Sequence, residues 1–368
     1  MFQFSELKNV HIEITNRCQA SCPMCHRNIH GGISNKLLKE TDWTVNEFKL
    51  VFNRTVLIQL HKISFCGTFG DPIMNNDLIE MCRYIKDTAP HIDIRIHTNG
   101  SARTAEWWSN LIAALPKNHL IEFALDGLED THHLHRIGTS FNKVIENAKT
   151  VIAQGGRASW LFIKFKHNEH QVSIAKQMSE DLGFSRFVLK NTRRFDGNKF
   201  AVLNKDGLVS HFLEQPTNNV VNFVNKHDLK NYQKWPAEVS CFALDTTEIY
   251  IDVNFTILPC CIIAAFLYTN YDIQVLKQYQ IYDESTSLNS IGTQIQRQVF
   301  DIIQELGGIE TLNARAQGIK QVINSAKWQT IWKDKWENNG SMCCTIMCST
   351  TSPFVKIEQQ MVKSDVQV

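Results

Sequence analysis

Apolar and polar positions along the first half of the chain follow two alternating patterns. Short apolar runs, such as Val10-His-Ile-Glu-Ile14, point successive side chains outward and inward, which predicts strands. The predicted strands cover residues 9–14, 61–66, 91–97, 119–125, 158–166 and 186–190. Amphipathic stretches between them predict helices at 44–59, 76–88, 103–115, 140–154 and 169–182. Six strand–helix alternations predict an α/β fold with a parallel sheet and right-handed crossovers.

The second half of the chain has a different pattern. Residues 191–236 are polar and rich in asparagine, and we predict that they bridge two parts of the chain. Beyond them, the apolar pattern predicts a hairpin from strands at 247–253 and 256–261, and helices at 291–306 and 311–336. The predicted division is therefore 1–190, 191–236, 237–350 and a loose tail at 351–368.

Composition excludes several classes of partner. The formal net charge of the 368 residues is +1, without a block of like charges, so we expect no nucleic-acid partner. No apolar stretch approaches the ~20 residues of a membrane span, and the N-terminus lacks a secretory signal. Eleven cysteines without such a signal indicate reduced thiols and metal ligation in the cytoplasm.

Three of these cysteines follow the first predicted strand closely, in Cys18-Gln-Ala-Ser-Cys22-Pro-Met-Cys25. Thiolates are soft ligands that suit iron–sulfur clusters or zinc. Three of them can hold three corners of a cubane cluster and leave the fourth iron open. Zinc with His26 as a fourth ligand is the alternative, although Cys25 and His26 are adjacent and would be cramped on one tetrahedral ion. A disulfide would leave one thiol over.

This segment resembles the C-x3-C-x2-C signature of the radical S-adenosylmethionine (radical SAM) enzymes. The resemblance implies that Cys18, Cys22 and Cys25 hold a [4Fe–4S] cluster whose open iron is chelated by S-adenosylmethionine. One electron then cleaves the sulfonium to methionine and a 5′-deoxyadenosyl radical, which takes a hydrogen atom from substrate. It also implies a partial (β/α)6 barrel over 1–190 that carries its chemistry at the carboxyl ends of the strands. Met24 stands where the family usually has an aromatic residue that contacts adenine.

Later strand ends extend the resemblance. The second strand leads into Cys66-Gly-Thr-Phe-Gly-Asp-Pro72, which is similar to the family's Gly-Gly-Glu-Pro loop for the methionyl amino group. The third ends in Thr98-Asn99-Gly100, a common family ending near the ribose. The implied cofactor-binding residues here are Gly67, Gly70, Asp71, Thr98 and Asn99. An ordinary strand–turn–helix link and a plain turn are the alternatives.

The fourth strand ends in Ala124-Leu-Asp126-Gly127, followed by Arg136. This resembles a family stretch in which Ala124 is a serine, and it implies that Asp126 and Arg136 bind S-adenosylmethionine. A guanidinium suits the methionyl carboxylate, but Arg136 could equally form a surface ion pair. We expect the nearby His132, His133 and His135 on a polar loop rather than at a metal. After the fifth strand, a helix cap is a sufficient role for Asn168.

A second cysteine set follows residue 240. Its pattern resembles the twitch domain, the shorter relative of the SPASM domain, and implies a small α+β domain over 237–350 with an auxiliary [4Fe–4S] cluster. The implied ligands are Cys241, Cys260, Cys344 and Cys348. Cys261 and Cys343 are adjacent alternatives, and a zinc ribbon is the competing interpretation. Two departures are a C-x3-C terminal pair and Phe255 in place of a hairpin glycine, where we expect Asn254 to take the left-handed conformation.

The sequence therefore predicts a radical SAM oxidoreductase or modifying enzyme, with no catalytic acid or base assigned. Its substrate would be a peptide or a small molecule, and its electron donor a protein such as flavodoxin or ferredoxin. We expect no leader-binding domain, because the barrel starts near residue 9, and this makes a peptide substrate less favoured. The resemblance makes nucleotide cyclisation less favoured, because the nucleotide-cyclising relatives end in Gly-Gly and this chain ends in Asp-Val-Gln-Val. The alternative is a non-catalytic iron–sulfur electron-transfer or zinc-binding protein.

Overall fold

The computed structural model describes residues 1–192, 194–195, 198–217, 239–269, 288–337 and 341–348. Its strands, in chain order, are β1 (Asn9–Ile12), β2 (Asn28–Ile29), β3 (Ile33–Ser34), β4 (Lys62–Phe65), β5 (Asp93–Thr98), β6 (His119–Ala124), β7 (Ala158–Lys164), β8 (Arg186–Asn191), β9 (Lys199–Leu203), β10 (Val209–Glu214), β11 (Glu248–Ile251) and β12 (Ile257–Leu258). Each strand predicted from the apolar pattern of the first half is present.

The largest sheet has the order β12–β11–β1–β4–β5–β6–β7–β8. Neighbouring strands from β11 to β8 are parallel, and β12 is antiparallel to β11. The α/β prediction with a parallel sheet is thereby confirmed. In β1 the alternation buries Val10 and Ile12 in the main hydrophobic core and leaves His11 on the opposite, more polar face of the sheet.

Helices connect these strands. They are α1 (Val45–Val51), α2 (Arg54–Leu57), α3 (Leu78–Thr88), α4 (Ala105–Ala114), α5 (His132–His135), α6 (Phe141–Ala153), α7 (Val172–Asp181), α8 (Phe242–Asp245), α9 (Cys261–Tyr268), α10 (Leu288–Leu306), α11 (Ala314–Gln317), α12 (Ile319–Ile323), α13 (Ala326–Glu337) and α14 (Met342–Cys348). Short 3-10 turns cover Phe4–Glu6, Pro72–Met74, Glu169–Gln171 and Ile309–Leu312. None of the helices in the described ranges has the length and apolarity to cross a membrane.

Two predicted helices are divided in the structure. The helix predicted at 44–59 begins with the expected capping box of Thr44 and Glu47, but the side chain of Asn53 accepts from the Val56 N–H and starts a new helix. The helix predicted at 311–336 is broken at Gly318, whose φ of 80° ends α11. A polar N-cap at Asn53 and a left-handed glycine at 318 thus override the continuous amphipathic pattern.

The C-terminal hairpin extends the main sheet. Strand β11 pairs in parallel with β1, placing Ile249 beside Val10 and Ile251 beside Ile12. These side chains lie in the same hydrophobic core as the helices of the first half. The boundaries at 190, 236 and 350 stay a prediction, but described residues before 190 and after 240 share one hydrophobic core.

Part of the predicted bridge is a β-hairpin. Strands β9 and β10 pair antiparallel within 199–214, and Gly207 at the turn has a φ of 78°. The sequence pattern did not predict these strands, because β10 has no continuous buried face. Apolar side chains such as Val209 and Phe212 are exposed on it. The remainder of the predicted bridge from 218 and the predicted tail at 351–368 lie outside the described residues.

Candidate functional site

The loop that carries Cys18, Cys22 and Cys25 is anchored at its start and near its middle. At its start, the Asn16 side-chain amide donates to the carbonyl of Lys39 (2.7 Å). Further along, the Ser21 N–H donates to the carbonyl of Ile137 (2.8 Å). The loop therefore lies at the carboxyl edge of the parallel strands, where the loops after β4, β5 and β6 also lie.

Two of the three thiols have nitrogen donors beside them. Cys18 Sγ lies 3.4 Å from the Ala20 N–H and 3.6 Å from Asn99 Nδ2. Cys22 Sγ lies 3.9 Å from Arg136 Nη1. Because N–H groups and a guanidinium stabilise negative charge on sulfur, this environment fits thiolates that bind an iron–sulfur cluster.

Burial acts on these thiols in the opposite direction. It raises the pKa of Cys22 to about 11 against the opposing effect of Arg136, and it raises the pKa of Cys18, with the nearby Asp71 adding to the shift. Cys25 Sγ lies 4.0 Å from the Thr68 carbonyl. Within the described part of the chain, no three potential ligand side chains are already arranged to hold a metal ion. Cluster ligation by these cysteines remains a prediction.

Asp71 is a buried centre of hydrogen bonds. Its carboxylate accepts from the Thr98 hydroxyl (2.8 Å), the Asn99 N–H (2.7 Å), the Asn99 side-chain amide (2.6 Å) and the Ile73 N–H (3.2 Å). Burial raises its pKa, and these donors oppose the shift. Asp71 therefore holds Asn99 against Cys18. Its predicted direct contact with S-adenosylmethionine stays a prediction.

The two glycines of this loop are required by contacts within the protein. A Cβ on Gly67 would lie 1.7 Å from the carbonyl oxygen of Gly70, and a Cβ on Gly70 would lie 2.0 Å from that of Thr15. Backbone segments thus approach each other more closely than any side chain permits. The binding of S-adenosylmethionine by Gly67 and Gly70 stays a prediction.

Glu13 is a further polar group at this edge, which the sequence analysis did not identify. Its buried carboxylate accepts from the Phe69 N–H (2.7 Å), the Gly70 N–H (2.9 Å) and the Tyr250 hydroxyl (2.9 Å). Burial raises the pKa of Glu13 to about 7 despite these three donors. A glutamate among apolar strand residues, just before the cysteine loop, was the sequence feature that could have revealed it.

Asp126 and Arg136 bind each other. Arg136 Nε donates to the Asp126 carboxylate at 2.5 Å, His135 Nδ1 lies 2.8 Å from it, and the Ile163 N–H donates at 2.7 Å. Burial would raise the pKa of Asp126, but Arg136 and His135 outweigh it and hold that pKa well below its usual range. Arg136 is not in a surface pair, because Asp126 is fully buried. The predicted binding of S-adenosylmethionine by both residues stays a prediction.

The expectation of a polar histidine loop is wrong. His132 and His135 are buried in the short helix α5, and only His133 is exposed. His132 Nε2 lies 2.9 Å from the Thr139 hydroxyl. The ion pair with Asp126 draws this turn into the interior, which the local polarity of the sequence did not reveal.

Met24 and Asn168 are also buried. Met24 lies in a small buried cluster that includes Phe165, and its sulfur lies 3.7 Å from the Thr192 hydroxyl. Its predicted contact with adenine stays a prediction. Asn168 does not cap the next helix: its Oδ1 accepts from the Phe165 N–H (2.7 Å) and its Nδ2 donates to the Ile163 carbonyl (3.0 Å). It shapes the chain at the end of β7 instead.

Part of the second set of cysteines lies near the end of the C-terminal hairpin. Cys260 precedes α9, and its buried thiol has a raised pKa, caused first by burial and then by the nearby Cys261, Cys343 and Cys344. The Ser240 N–H donates to the carbonyl of Cys348 (2.8 Å), which brings the chain at 241 beside α14. The four predicted ligands thus lie on segments in contact with one another.

Helix α14 explains the unusual spacing of the last pair. Cys344 and Cys348 lie one turn apart on this helix, so the two thiols share a face.

The hairpin between β11 and β12 also departs from expectation. Phe255, not Asn254, takes the left-handed conformation with a φ of 68°. Its ring stacks on Trp43 with centroids 4.2 Å apart, a contact that a glycine could not make.

The segment that contains the loop after β1 is similar to a known family. Residues 12–172 match the family model described as the Radical SAM superfamily. The match covers less than half of the chain and supports the resemblance of the cysteine loop and the strand ends to the radical SAM superfamily.

Two curated relatives are enzymes. PqqA peptide cyclase of Bradyrhizobium diazoefficiens is 27% identical over 186 residues, which are 50% of this chain and 46% of that protein. A probable GTP 3′,8-cyclase of Methanococcus aeolicus is 33% identical over 97 residues, 26% of this chain and 30% of that protein. The chain thus spans less than half the length of these relatives.

A solved structure extends the similarity of fold beyond the matched segment. Native anSMEcpe with bound AdoMet (S-adenosylmethionine) superimposes with a TM-score of 0.53 and 12% identity. The match covers 96% of each chain. At this identity the similarity concerns the fold alone.

Proposed function

We propose that the protein is a radical SAM enzyme that cleaves S-adenosylmethionine reductively and abstracts a hydrogen atom from its substrate. One observation carries the proposal. The thiols of Cys18 and Cys22, in the segment that matches the family, lie beside the nitrogen donors of Asn99 and Arg136 at the carboxyl edge of the sheet. A thiolate-held cluster carries negative charge, and these donors stabilise it.

The cluster-binding residues are Cys18, Cys22 and Cys25. A [4Fe–4S] cluster at this loop would supply the electron that cleaves the sulfonium of S-adenosylmethionine. The neighbouring side chains hold the loop in place: Asp71 orients Asn99 toward Cys18, and Asp126 holds Arg136 toward Cys22. Two buried carboxylates thus position two donors beside two thiols.

The second cysteine set would hold an auxiliary [4Fe–4S] cluster for electron transfer or structural support. Four cysteines are the ligand set that such clusters use, and the packing of Cys260 beside the thiols of α14 supports it. Helical spacing favours Cys344 and Cys348 over Cys343 as a pair on one face. A low-potential electron carrier such as flavodoxin or ferredoxin would supply the electron for the reductive cleavage of S-adenosylmethionine.

For the substrate we propose a polar molecule, either a peptide or a small molecule that is oxidised. The inner face of the sheet, which is the face that carries His11, supports this because polar side chains pair there: His97 Nε2 lies 2.8 Å from Glu122, and Lys62 Nζ lies 3.2 Å from Glu248. Such a surface suits a polar ligand better than an apolar one. The similarity to PqqA peptide cyclase supports the peptide class.

The test is a paired measurement on anaerobically reconstituted protein. The parent should contain about eight irons per chain from two clusters and form 5′-deoxyadenosine after reduction. Cys22→Ala should retain about four irons and form none, because no spare thiol lies between Cys18 and Cys25. Cys82→Ala is the matched control, since it removes a buried core thiol in α3.

Two results would contradict the proposal. If Cys22→Ala forms 5′-deoxyadenosine at the rate of the parent, the loop after β1 does not hold the active cluster. If both cysteine sets bind zinc and no 5′-deoxyadenosine forms, the protein is the non-catalytic metal-binding protein of the alternative. Unchanged activity in Cys82→Ala would show that the loss of 5′-deoxyadenosine formation in Cys22→Ala does not follow from removal of just any buried thiol.

A further inference from the structure

The buried carboxylate of Glu13 joins three segments that are distant in sequence. Its Oε1 accepts from the N–H groups of Phe69 and Gly70 in the loop after β4, at 2.7 and 2.9 Å. Its Oε2 accepts from the hydroxyl of Tyr250 on β11, at 2.9 Å. The side chain therefore links β1, the 67–71 loop and the C-terminal hairpin.

This carboxylate is buried without a compensating charge. Glu13 is 1% exposed and takes part in no ion pair among the described residues. The titratable groups that face it are Asp252 and Tyr250 from the hairpin, the Cys66 thiol at the end of β4, and the Cys261 thiol at the start of α9. Burial of an ionised carboxylate without a cation costs free energy, and the three hydrogen-bond donors offset part of that cost.

The 67–71 loop is also held in place at Gly70 and at Asp71. Gly70 packs against the carbonyl of Thr15, and the next residue, Asp71, holds Thr98 and Asn99. A shift of the Phe69 and Gly70 amides would therefore move Asp71, and with it the Asn99 amide beside Cys18.

We propose that Glu13 is a positioning residue that fastens the 67–71 loop to strand β11, so that the C-terminal hairpin sets the geometry of this loop. The tether itself does not depend on the ligand of the loop. Its consequence for S-adenosylmethionine binding rests on the proposed function.

Protonation should loosen the tether. Burial raises the pKa of Glu13 to about 7, and Asp252 adds to the rise. Above that pH the carboxylate accepts charge-assisted hydrogen bonds from the loop, and below it the neutral acid accepts weaker ones. The donors of Phe69, Gly70 and Tyr250 lower the pKa of Glu13 from the still higher value that burial alone would give, so opening of the loop with Glu13 still buried takes up a proton. The loop should therefore be held less firmly as the pH falls through 7.

The test is amide hydrogen exchange of the full-length protein in a peptide that contains Phe69 and Gly70, at pH 6 and pH 8. Rates are corrected for the intrinsic effect of pH. Glu13→Ala should speed exchange by about tenfold or more at pH 8, since two bonds to a charged acceptor are lost. Glu13→Gln keeps an acceptor, so exchange should rise less and its corrected rate should no longer differ between the two pH values.

Two further variants identify the tether. Tyr250→Phe should speed exchange at these amides by about threefold, because it removes the link to β11 but not the carboxylate. Glu122→Gln changes a glutamate on the same inner face that contacts His97 instead, and should leave exchange at 69–70 unchanged. The proposal is overturned if Glu13→Ala leaves these amides as protected as in the parent.

Equilibrium binding of S-adenosylmethionine separates this proposal from the proposed function. If the parent binds no S-adenosylmethionine but Glu13→Ala loses protection at 69–70, the tether is supported and the proposed function is overturned. If the parent binds and cleaves S-adenosylmethionine, and Glu13→Ala and Tyr250→Phe bind it equally well, the link between tether and ligand is overturned. Weaker binding in both variants, with binding in Glu13→Gln independent of pH, supports it.

Discussion

Replacement of Asp126 by asparagine tests the ion pair that holds Arg136 beside Cys22. In Asp126→Asn the Oδ1 acceptor for the Ile163 N–H remains, but an amide replaces the oxygen that accepts from Arg136 and His135. His135 can offer its unprotonated nitrogen to that amide, whereas Arg136 is left with a buried and unpaired charge. Breaking such a pair costs about 3–5 kcal/mol.

The assay is urea unfolding followed by tryptophan fluorescence, with a double-mutant cycle. Arg136→Met alone should cost a similar amount, because it leaves the buried carboxylate without its guanidinium. The double variant should cost less than the sum of the single variants by about 2–3 kcal/mol. Because the folded-state pKa of Asp126 is depressed, its contribution is present above the ordinary carboxyl pKa and is lost only in acid. The penalties should therefore be equal at pH 6 and pH 8.

Additivity would refute this reasoning. If the two single penalties add to within about 0.5 kcal/mol, Asp126 and Arg136 are not coupled in the folded protein. A penalty for Asp126→Asn that grows steadily from pH 6 to pH 8 would also contradict it, since the carboxylate should be fully ionised across that range.

Two further predictions concern the proposed cofactor sites. Asp71→Ala should weaken equilibrium binding of S-adenosylmethionine by about tenfold or more while iron content stays at the parent value, because it frees Asn99 but removes no cysteine; unchanged affinity would count against the assignment of this loop. Cys344→Ala should lower the iron of the auxiliary site only in part, because Cys343 is adjacent, and should spare 5′-deoxyadenosine formation while substrate turnover fails. Iron analysis with Cys343→Ala as the companion variant checks this: equal loss in both would show that helical position does not select the ligand.

Much of the fold could be predicted because it depends on local patterns. Strands β1 and β5 bury apolar side chains at alternate positions, and helix α1 carries its cap in the sequence, in Thr44 and Glu47. The cysteine loop was found because its spacing is specific. The helix division at Asn53 was missed because the same side chain could have been an ordinary exposed residue.

The missed features depend on partners far away in the chain. Glu13 is defined by a bond to Tyr250, 237 residues later, which no local pattern reveals. His135 is drawn inside by Asp126, and Phe255 adopts a left-handed conformation while stacking on Trp43. Tertiary contacts of this kind override the local preference of a residue for surface or turn.

The central claim is tested most directly by the products of the parent protein under reduction. Protein loaded with iron and sulfide is mixed with S-adenosylmethionine, and 5′-deoxyadenosine and methionine are quantified with and without dithionite. The account predicts that both products form in equal amounts and only with the reductant. A fully loaded protein that binds S-adenosylmethionine but forms neither product would contradict it.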